Sequence, residues 1–173
     1  MFGLGVGYVG PEMTAVGVPM ARRGTRADEY LAAMRALWEE EQPSFEGEFV
    51  SFADVDAHPR PLQRPLPVVV AGHSPAGHRR AARLADGWCG FMLNVEETAE
   101  HVRRLRRALA EAGRSDDRFE ITVVPRGRID PDVVAAYGEL GVDRLALLPR
   151  GEDVSEFIRE HSPERLGALP LAA

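Results

Sequence analysis

Residues 68–75 read Val-Val-Val-Ala-Gly-His-Ser-Pro, and this stretch decides the fold class of the chain. Its four leading apolar residues are typical of a strand buried on both faces, and the Gly-His pair that follows predicts a tight turn. Ser74 is a favourable helix N-cap and Pro75 suits the first helical position, so a helix is predicted over residues 75–84. The stretch therefore predicts one strand–turn–helix unit of a parallel sheet.

The same strand–helix order repeats toward the C-terminus. Apolar runs bounded by turn residues predict strands over residues 87–91, 119–124 and 144–148. Helices are predicted after each of these strands, over residues 95–112, 131–140 and 154–161. Alternating strands and helices joined by short loops favour a parallel sheet covered by helices.

The N-terminal unit is of the same kind but more irregular. A strand is predicted over residues 2–7 and a helix over residues 25–40, separated by a loop that contains glycines and prolines. Thr25 followed by Asp28 has the form of an N-terminal capping box for that helix. The apolar residues of the helix fall on one face and are Tyr30, Leu31, Met34, Leu37 and Trp38.

Five such units can be arranged as an open doubly wound sheet or as part of an eight-stranded barrel. A complete barrel takes about 250 residues, or about 31 per unit, so five units need about 155 residues. The chain has 173 residues and opens on a strand, as expected of a barrel without its first three units. We therefore predict an α/β fold: a partial TIM (β/α)8 barrel of about five parallel βα units, with a small hairpin insertion after the first, over residues 44–52. The barrel domain is predicted over residues 1–161, followed by a flexible tail over residues 162–173.

The composition of the chain excludes several kinds of binding partner and structural feature. The net charge of −6 argues against a general nucleic-acid or anionic-membrane binder. A single cysteine, Cys89, excludes an intramolecular disulfide, and no apolar run approaches the ~18 residues of a membrane span. With no signal-peptide pattern at the N-terminus, we expect a cytoplasmic protein. No metal site is predicted, because no histidine, cysteine or carboxylate cluster has ligand spacing.

Candidate ligand-binding residues lie where predicted strands end, since ligands bind beyond the carboxyl ends of parallel strands. Gly72, His73 and Ser74 precede a helix, whose free N–H groups attract anions, and the Ser74 hydroxyl can cap the helix or donate to a phosphate oxygen. The alternative is a plain N-cap after a tight turn. His73 is the one histidine at a predicted strand end, whereas three others fall on predicted helices, where solvated positions are expected: His78, His101 and His161.

The end of the first strand offers a second candidate. Gly5 and Gly7 would let a planar ring approach the backbone, or they form an ordinary strand-end turn. Tyr8 could hydrogen-bond a ligand or close the top of the barrel. Trp88 begins a strand after Asp86-Gly87 and is expected in the core. No residue stands out as catalytic.

Four stretches taken together resemble a known family. They are residues 4–19 with Leu-Gly-Val-Gly-Tyr, residues 23–38 with Arg-Gly-Thr-Arg-Ala-Asp-Glu-Tyr, residues 61–75, and residues 79–88 ending in Asp-Gly-Trp. Their order and spacing resemble the luciferase-like monooxygenases, particularly flavin- or deazaflavin-dependent oxidoreductases of actinobacteria. Compared with that family, the chain lacks the usual first ~100 residues, which is about three barrel units.

The resemblance implies a barrel that binds a flavin-type cofactor at its mouth. In that family the strand end at Gly5, Gly7 and Tyr8 would lie near the tricyclic ring. Ala71, Gly72, His73 and Ser74 would line the edge of the ring and the ribityl phosphate. The implied cofactor is coenzyme F420, or alternatively FMN, and the implied chemistry is hydride transfer or oxygen activation on a small-molecule substrate.

Two other functions stay open at this point. One is a truncated, non-catalytic relative that binds cofactor or serves as a scaffold, and the other is an open-sheet module that binds a nucleotide or phosphate. A five-stranded partial barrel exposes two sheet edges. We therefore expect a homo-oligomer, or dependence on another polypeptide that covers those edges.

Overall fold

The computed structural model describes residues 1–149 and 153–167 of the chain. From residue 68 onward, strands and helices alternate in the described residues, as predicted. In chain order the elements are β1 (Phe2–Leu4), α1 (Gly10–Ala15), α2 (Arg23–Glu39), β2 (Phe45–Glu46), β3 (Ser51–Phe52), β4 (Val68–Ala71), α3 (Pro75–Leu84), β5 (Gly87–Leu93), α4 (Val95–Glu111), β6 (Glu120–Pro125), α5 (Pro131–Glu139), β7 (Arg144–Leu145) and α6 (Val154–Glu160).

Five strands form one parallel sheet in the order β1-β4-β5-β6-β7. This order follows the chain without reversal, whereas a doubly wound sheet reverses direction near its centre to place helices on both faces. Right-handed crossovers in one direction place every connecting helix on the same face and curve the sheet, as in a barrel. The predicted hairpin is also present, with β2 antiparallel to β3 between α2 and β4.

A contact across the concave face shows how strongly the sheet curves. The Arg144 guanidinium on β7 lies 3.4 Å from the sulfur of Met1, which precedes β1. In a flat five-stranded sheet the two edge strands would be about 19 Å apart, too far for these side chains to meet. Arg144 also pairs with Glu120 on the neighbouring strand at 3.2 Å, so polar side chains bridge the lower part of the concave face.

The main hydrophobic core lies between the convex face of the sheet and the helices. Strand residues at alternating positions point toward the helices, which is the pattern that a pleated strand imposes. They include Val68 and Val70 on β4, Trp88 on β5, and Ile121 and Val123 on β6. The helices contribute Leu31, Ala81, Ala82, Val102, Leu105 and Leu109. Trp88 is fully buried at the centre of this core, as expected from the sequence.

Two local predictions about the N-terminal unit are wrong. Residues 10–15 were expected in a loop but form the short helix α1, because Pro11 fits the first turn of a helix. The capping box at Thr25 and Asp28 is absent, since α2 already begins at Arg23, after Arg22 in the left-handed region. The Asp28 carboxylate instead binds the guanidinium of Arg80 on α3.

No helix in the described ranges is both long and apolar enough to cross a membrane.

The structure describes only part of the C-terminal tail. Residues 162–167 form turns in which Leu166 is buried, and the rest of the predicted tail, residues 168–173, lies outside the described residues. Residues 150–152, which follow the last predicted strand, lie outside them as well.

Candidate cofactor site

The backbone of the turn between β4 and α3 packs directly against the first turn of helix α3. Gly72 has a φ of +144°, a conformation that residues with a side chain rarely adopt. Its carbonyl accepts a hydrogen bond of 2.9 Å from the indole N–H of Trp88. A Cβ on Gly77 would lie 3.1 Å from the Gly72 carbonyl group, so the first helical turn approaches this closely because Gly77 has no side chain.

Ser74 caps helix α3, as predicted. Its Oγ accepts a hydrogen bond of 3.1 Å from the backbone N–H of Gly77. This bond uses a lone pair of the hydroxyl and leaves its proton to donate elsewhere. Because Ser74 is exposed, a phosphate oxygen could accept that proton at the positive end of the helix dipole. The capping role and the anion-binding role are therefore compatible.

His73 connects this turn to the end of the neighbouring strand. Its Nε2 accepts a hydrogen bond of 3.0 Å from the backbone N–H of Phe91. A nitrogen that accepts carries no proton, so the neutral ring holds its proton on Nδ1. Burial lowers the pKa of His73, although the Glu97 carboxylate opposes that effect. His73 therefore holds the ends of β4 and β5 in a fixed relation.

Phe91 is a further candidate site residue, which was not singled out from the sequence. Its side chain is 49% exposed at the carboxyl end of β5, where alternation with buried Trp88 directs it to the concave face. A bulge follows, with Met92 at a φ of +57°, a region that few residues other than glycine occupy. The signal that could have identified it is an aromatic residue at the end of the strand predicted over residues 87–91.

Three histidines surround Trp88 beneath the turn, contrary to the expectation of solvated positions for two of them. His78 is only 2% exposed, and its Nε2 lies 3.2 Å from Nδ1 of His101. The His101 ring lies 4.7 Å from that of His73 and 5.8 Å from that of Trp88. Burial, followed by the charges of His101 and Arg104, lowers the pKa of His78 to about 4. We call His73, His78 and His101 the histidine cluster.

The histidine cluster does not have the arrangement of a metal-binding group. Among the residues that the structure describes, no group of three or more histidine, cysteine or carboxylate side chains could hold a metal ion. The rings are tilted against one another and against Trp88, with interplanar angles of 34–51°. The cluster therefore packs the site from beneath.

Gly5 and Gly7 follow β1, the strand that neighbours β4. Leu4 pairs with Val70, so Gly5 continues beside Ala71 at the carboxyl end of the sheet. Both glycines line a groove of about 590 Å³ between the end of β1 and helix α2. A Cβ on Gly5 would meet open space, which leaves the backbone accessible. Tyr8 is 82% exposed beyond the groove.

The comparisons with known proteins agree with this architecture. The family model of luciferase-like monooxygenases matches residues 1–148. An uncharacterized protein of Mycobacterium tuberculosis is 40% identical over 144 residues, which cover 83% of this chain and 50% of that protein. The chain therefore belongs to the luciferase-like monooxygenase family, and it spans about half the length of the curated relatives that it matches.

Two further relatives are named for different cofactors. The F420-dependent glucose-6-phosphate dehydrogenase of Kineococcus radiotolerans is 33% identical over 141 residues, covering 79% of this chain and 41% of that protein. The FMNH2-dependent dimethylsulfone monooxygenase of Pseudomonas putida is 28% identical over 165 residues, covering 84% and 46%. Relatives in this family therefore include both F420- and FMN-dependent oxidoreductases.

The solved structures support the barrel assignment. The monooxygenase RslO1 from Streptomyces bottropensis matches with a TM-score of 0.60 and 26% identity. The match covers 95% of this chain but 48% of that one. The five-stranded sheet is thus part of a TIM barrel of the luciferase-like type, as predicted from the sequence.

Proposed function

We propose that this chain carries the cofactor-binding rim of an oxidoreductase that uses coenzyme F420, with FMN as the alternative, and acts on a small-molecule substrate. The observation that carries this proposal is the β4–α3 turn, where exposed Ser74 and a helix start lie at the carboxyl end of a barrel strand. The bound cofactor would supply hydride transfer or the reduction of oxygen. The greater identity to the F420-dependent relative favours F420.

The β4–α3 turn fits the phosphate end of such a cofactor. Ser74 has a hydroxyl proton to donate, and the first turn of α3 offers the backbone N–H of Ala76 beside it, because Pro75 has no N–H and the N–H of Gly77 donates to Ser74. Gly72 has no side chain to obstruct the approach, and Trp88 holds its carbonyl away by hydrogen bonding. These residues would bind and orient the phosphate.

The strand ends beside the turn fit an apolar ring. Phe91 presents a half-exposed aromatic side chain, and Ala71 is small enough to leave room beside it. Gly5 follows Leu4 on the neighbouring strand with open space above its Cα. His73 would act as a positioning residue, because its hydrogen bond to the Phe91 backbone fixes the end of β5.

A second candidate is a binding module that holds the cofactor without catalysing its reaction. The observation that favours it is the state of His73, the histidine at the rim. Its Nε2 already accepts the Phe91 N–H, so it cannot take a proton from a substrate there unless that bond breaks. The catalytic acid or base would then come from another part of the barrel.

Fluorescence titration of the 173-residue chain with F420 and, separately, with FMN tests the proposal. The variant Ser74→Asp keeps a good N-cap, so α3 is retained, but it places a negative charge where the phosphate would bind. We expect its affinity for the cofactor to fall at least tenfold. Ser115→Asp is the matched control, because it adds the same charge at an exposed position between α4 and β6, at the opposite end of the sheet.

The outcomes separate the candidates. Binding that Ser74→Asp weakens and Ser115→Asp does not supports the proposed phosphate position. Cofactor reduction or oxidation by the chain in the presence of substrate would identify an enzyme, whereas binding without turnover would identify a module. If neither F420 nor FMN binds, both candidates are wrong.

A further inference from the structure

The imidazole of His73 takes the place of a backbone acceptor at the end of β4. The register pairs Ala71 with Cys89, so residue 73 would stand opposite Phe91 if β4 continued. Gly72, with a φ of +144°, turns the chain away at that point. The Phe91 N–H then has no β4 carbonyl to bind and donates to Nε2 of His73 at 3.0 Å. A titratable ring therefore makes a hydrogen bond that would otherwise belong to the sheet.

This hydrogen bond exists only while His73 is neutral. Nε2 accepts through its lone pair, and the neutral ring carries its proton on Nδ1. An added proton must bind Nε2, because Nδ1 is already protonated. Two N–H groups would then face each other, and the bond between His73 and Phe91 would be lost.

Phe91 is the part of this strand end that depends on His73. The carbonyl of Leu93 accepts hydrogen bonds from the Tyr137 hydroxyl at 2.7 Å and from the backbone N–H of Arg126 at 2.9 Å. Neither donor loses its proton near neutral pH. Phe91 itself pairs with Val124 on β6. Loss of the His73 bond would therefore leave Phe91 held on its β6 side alone, while Leu93 stays in place.

The histidine cluster keeps His73 neutral near pH 7. The His101 ring on α4 lies 4.7 Å from the His73 ring, and Nδ1 of His101 lies 3.2 Å from Nε2 of His78 on α3. Rings this close are not all charged together, because each imidazolium repels the next. Burial also lowers the pKa of His73 below the 6.5 of an ordinary histidine. The bond to Phe91 is therefore intact at pH 7 and is lost in acid.

Charged side chains from α4 and β6 face the histidine cluster. Glu97 on α4 favours a proton on His73, but its carboxylate also pairs with Arg126 at the end of β6 at 2.7 Å. On the same helix, Glu100 and Arg104 pair with each other and act in opposite directions on the neighbouring histidine of the cluster. Each carboxylate thus has an arginine partner, and burial has the largest influence on His73.

We propose that the hydrogen bond between His73 and Phe91 is an acid-sensitive latch: a proton on Nε2 of His73 breaks it and loosens the rim at the end of β5. The latch follows from the geometry of the two residues and requires no ligand. Its consequence for a cofactor rests on the proposed function, because the Phe91 ring would no longer be held beside the cofactor ring. Cofactor affinity should then fall at the pH values at which the latch opens.

Hydrogen exchange of the Phe91 amide, followed by NMR from pH 7.5 to pH 5, tests the latch. In the wild-type chain we expect its protection factor to fall by up to about tenfold per pH unit below about pH 6.5. His73→Gln should keep the protection at pH 5, because the amide oxygen accepts the same N–H and does not titrate. His73→Ala should lack it even at pH 7.5. His58→Gln, which replaces a largely exposed histidine, is the matched control and should behave like the wild type.

Core amides separate opening of the latch from unfolding of the whole chain. Val70 and Val123 are fully buried in the sheet, so their exchange reports global unfolding, and a loss confined to Phe91 reports the latch. The inference is overturned if wild-type Phe91 is unprotected at pH 7.5, keeps its protection at pH 5, or loses it only in parallel with the core amides. It is equally overturned if His73→Gln shows the wild-type pH dependence.

Titration with F420 and with FMN at the same pH values is a separate measurement. If the latch opens in acid and cofactor affinity falls with it in the wild type but not in His73→Gln, the latch regulates the proposed site. If the latch opens and affinity is unchanged, the latch stands and the proposed position of the ring beside Phe91 is wrong. If neither cofactor binds at any pH, the proposed function fails, and the exchange data still decide the latch.

Discussion

The centre of the sheet and its β1 edge differ in how completely they are packed. Helix α4 has one apolar face, with Val102 and Leu105 buried against the sheet, and its other face carries ion pairs such as Arg104 with Glu100. Helix α2 is apolar toward the core and again toward the open groove. An amphipathic helix such as α4 buries its one apolar face against the sheet, whereas α2 has apolar residues on two faces. Helix α4 therefore buries its apolar face within the chain, whereas α2 leaves apolar surface open in the groove.

The largest expected loss of stability is at the centre of the sheet. Trp88 is fully buried, contacts the histidine cluster and donates a hydrogen bond to the Gly72 carbonyl. Trp88→Ala should therefore lower the free energy of unfolding by about 3–5 kcal/mol. Urea denaturation of the isolated chain measures this loss. A loss below about 1 kcal/mol would mean that the centre is as loosely packed as the edge.

The second effect concerns pH. The pKa of His78 is lowered to about 4 in the folded chain, against 6.5 for an ordinary histidine. Between pH 4 and pH 6.5, unfolding therefore takes up a proton at His78. The stabilising contribution of this shift is fully present above pH 6.5 and declines as the pH falls toward 4. For His78 this decline amounts to about 3 kcal/mol. His73 and His101, whose pKa values are also lowered mainly by burial, change stability in the same direction, although Glu97 and Glu100 oppose this.

Urea midpoints measured at pH 7 and at pH 5 test the pH effect. In His78→Gln the difference between the two midpoints should shrink, because the most strongly shifted histidine is gone. His58→Gln is the matched control, since His58 is largely exposed beside Asp56 in the proline-rich segment. An equal pH dependence in all three proteins would show that the histidine cluster does not govern acid stability.

The smallest effect is expected at the edge. Tyr30 is 42% exposed in the groove, so truncating it removes less buried surface than truncating Trp88 does. In the isolated chain, Tyr30→Ala should lower the free energy of unfolding by about 1 kcal/mol. The same urea experiment measures it beside Trp88→Ala. A loss comparable to that of Trp88→Ala would show that the groove side of α2 is packed as tightly as the centre of the sheet.

The sequence predicted the architecture because the relevant signals are local. The apolar run at residues 68–71, the Ser74 cap and the succession of short loops each depend on neighbouring residues, and the structure confirms them. Strand order followed from the repetition of βα units and from chain length. What the sequence predicted least well depends on residues that are distant along the chain.

Particular residues show why. Asp28 was expected in a capping box because Thr25 lies three positions before it, but its partner is Arg80, 52 positions away. His78 was expected in solvent because a helix face cannot show which neighbour covers it, and His101 and Trp88 do so. The proposed roles of Gly72 and Ser74 in cofactor binding stay predictions, as do those of Gly5, Gly7 and Tyr8.

The strand alternation that buries Trp88 directs Cys89 toward the concave face, between Ala71 and Thr122 on the neighbouring strands. It is the single thiol of the chain, which also contains no lysine. Burial raises its pKa, so it reacts slowly with alkylating reagents. Maleimide would therefore label Cys89 alone, without any engineered probe. The rate of this labelling would show whether the concave face of the sheet is exposed or covered.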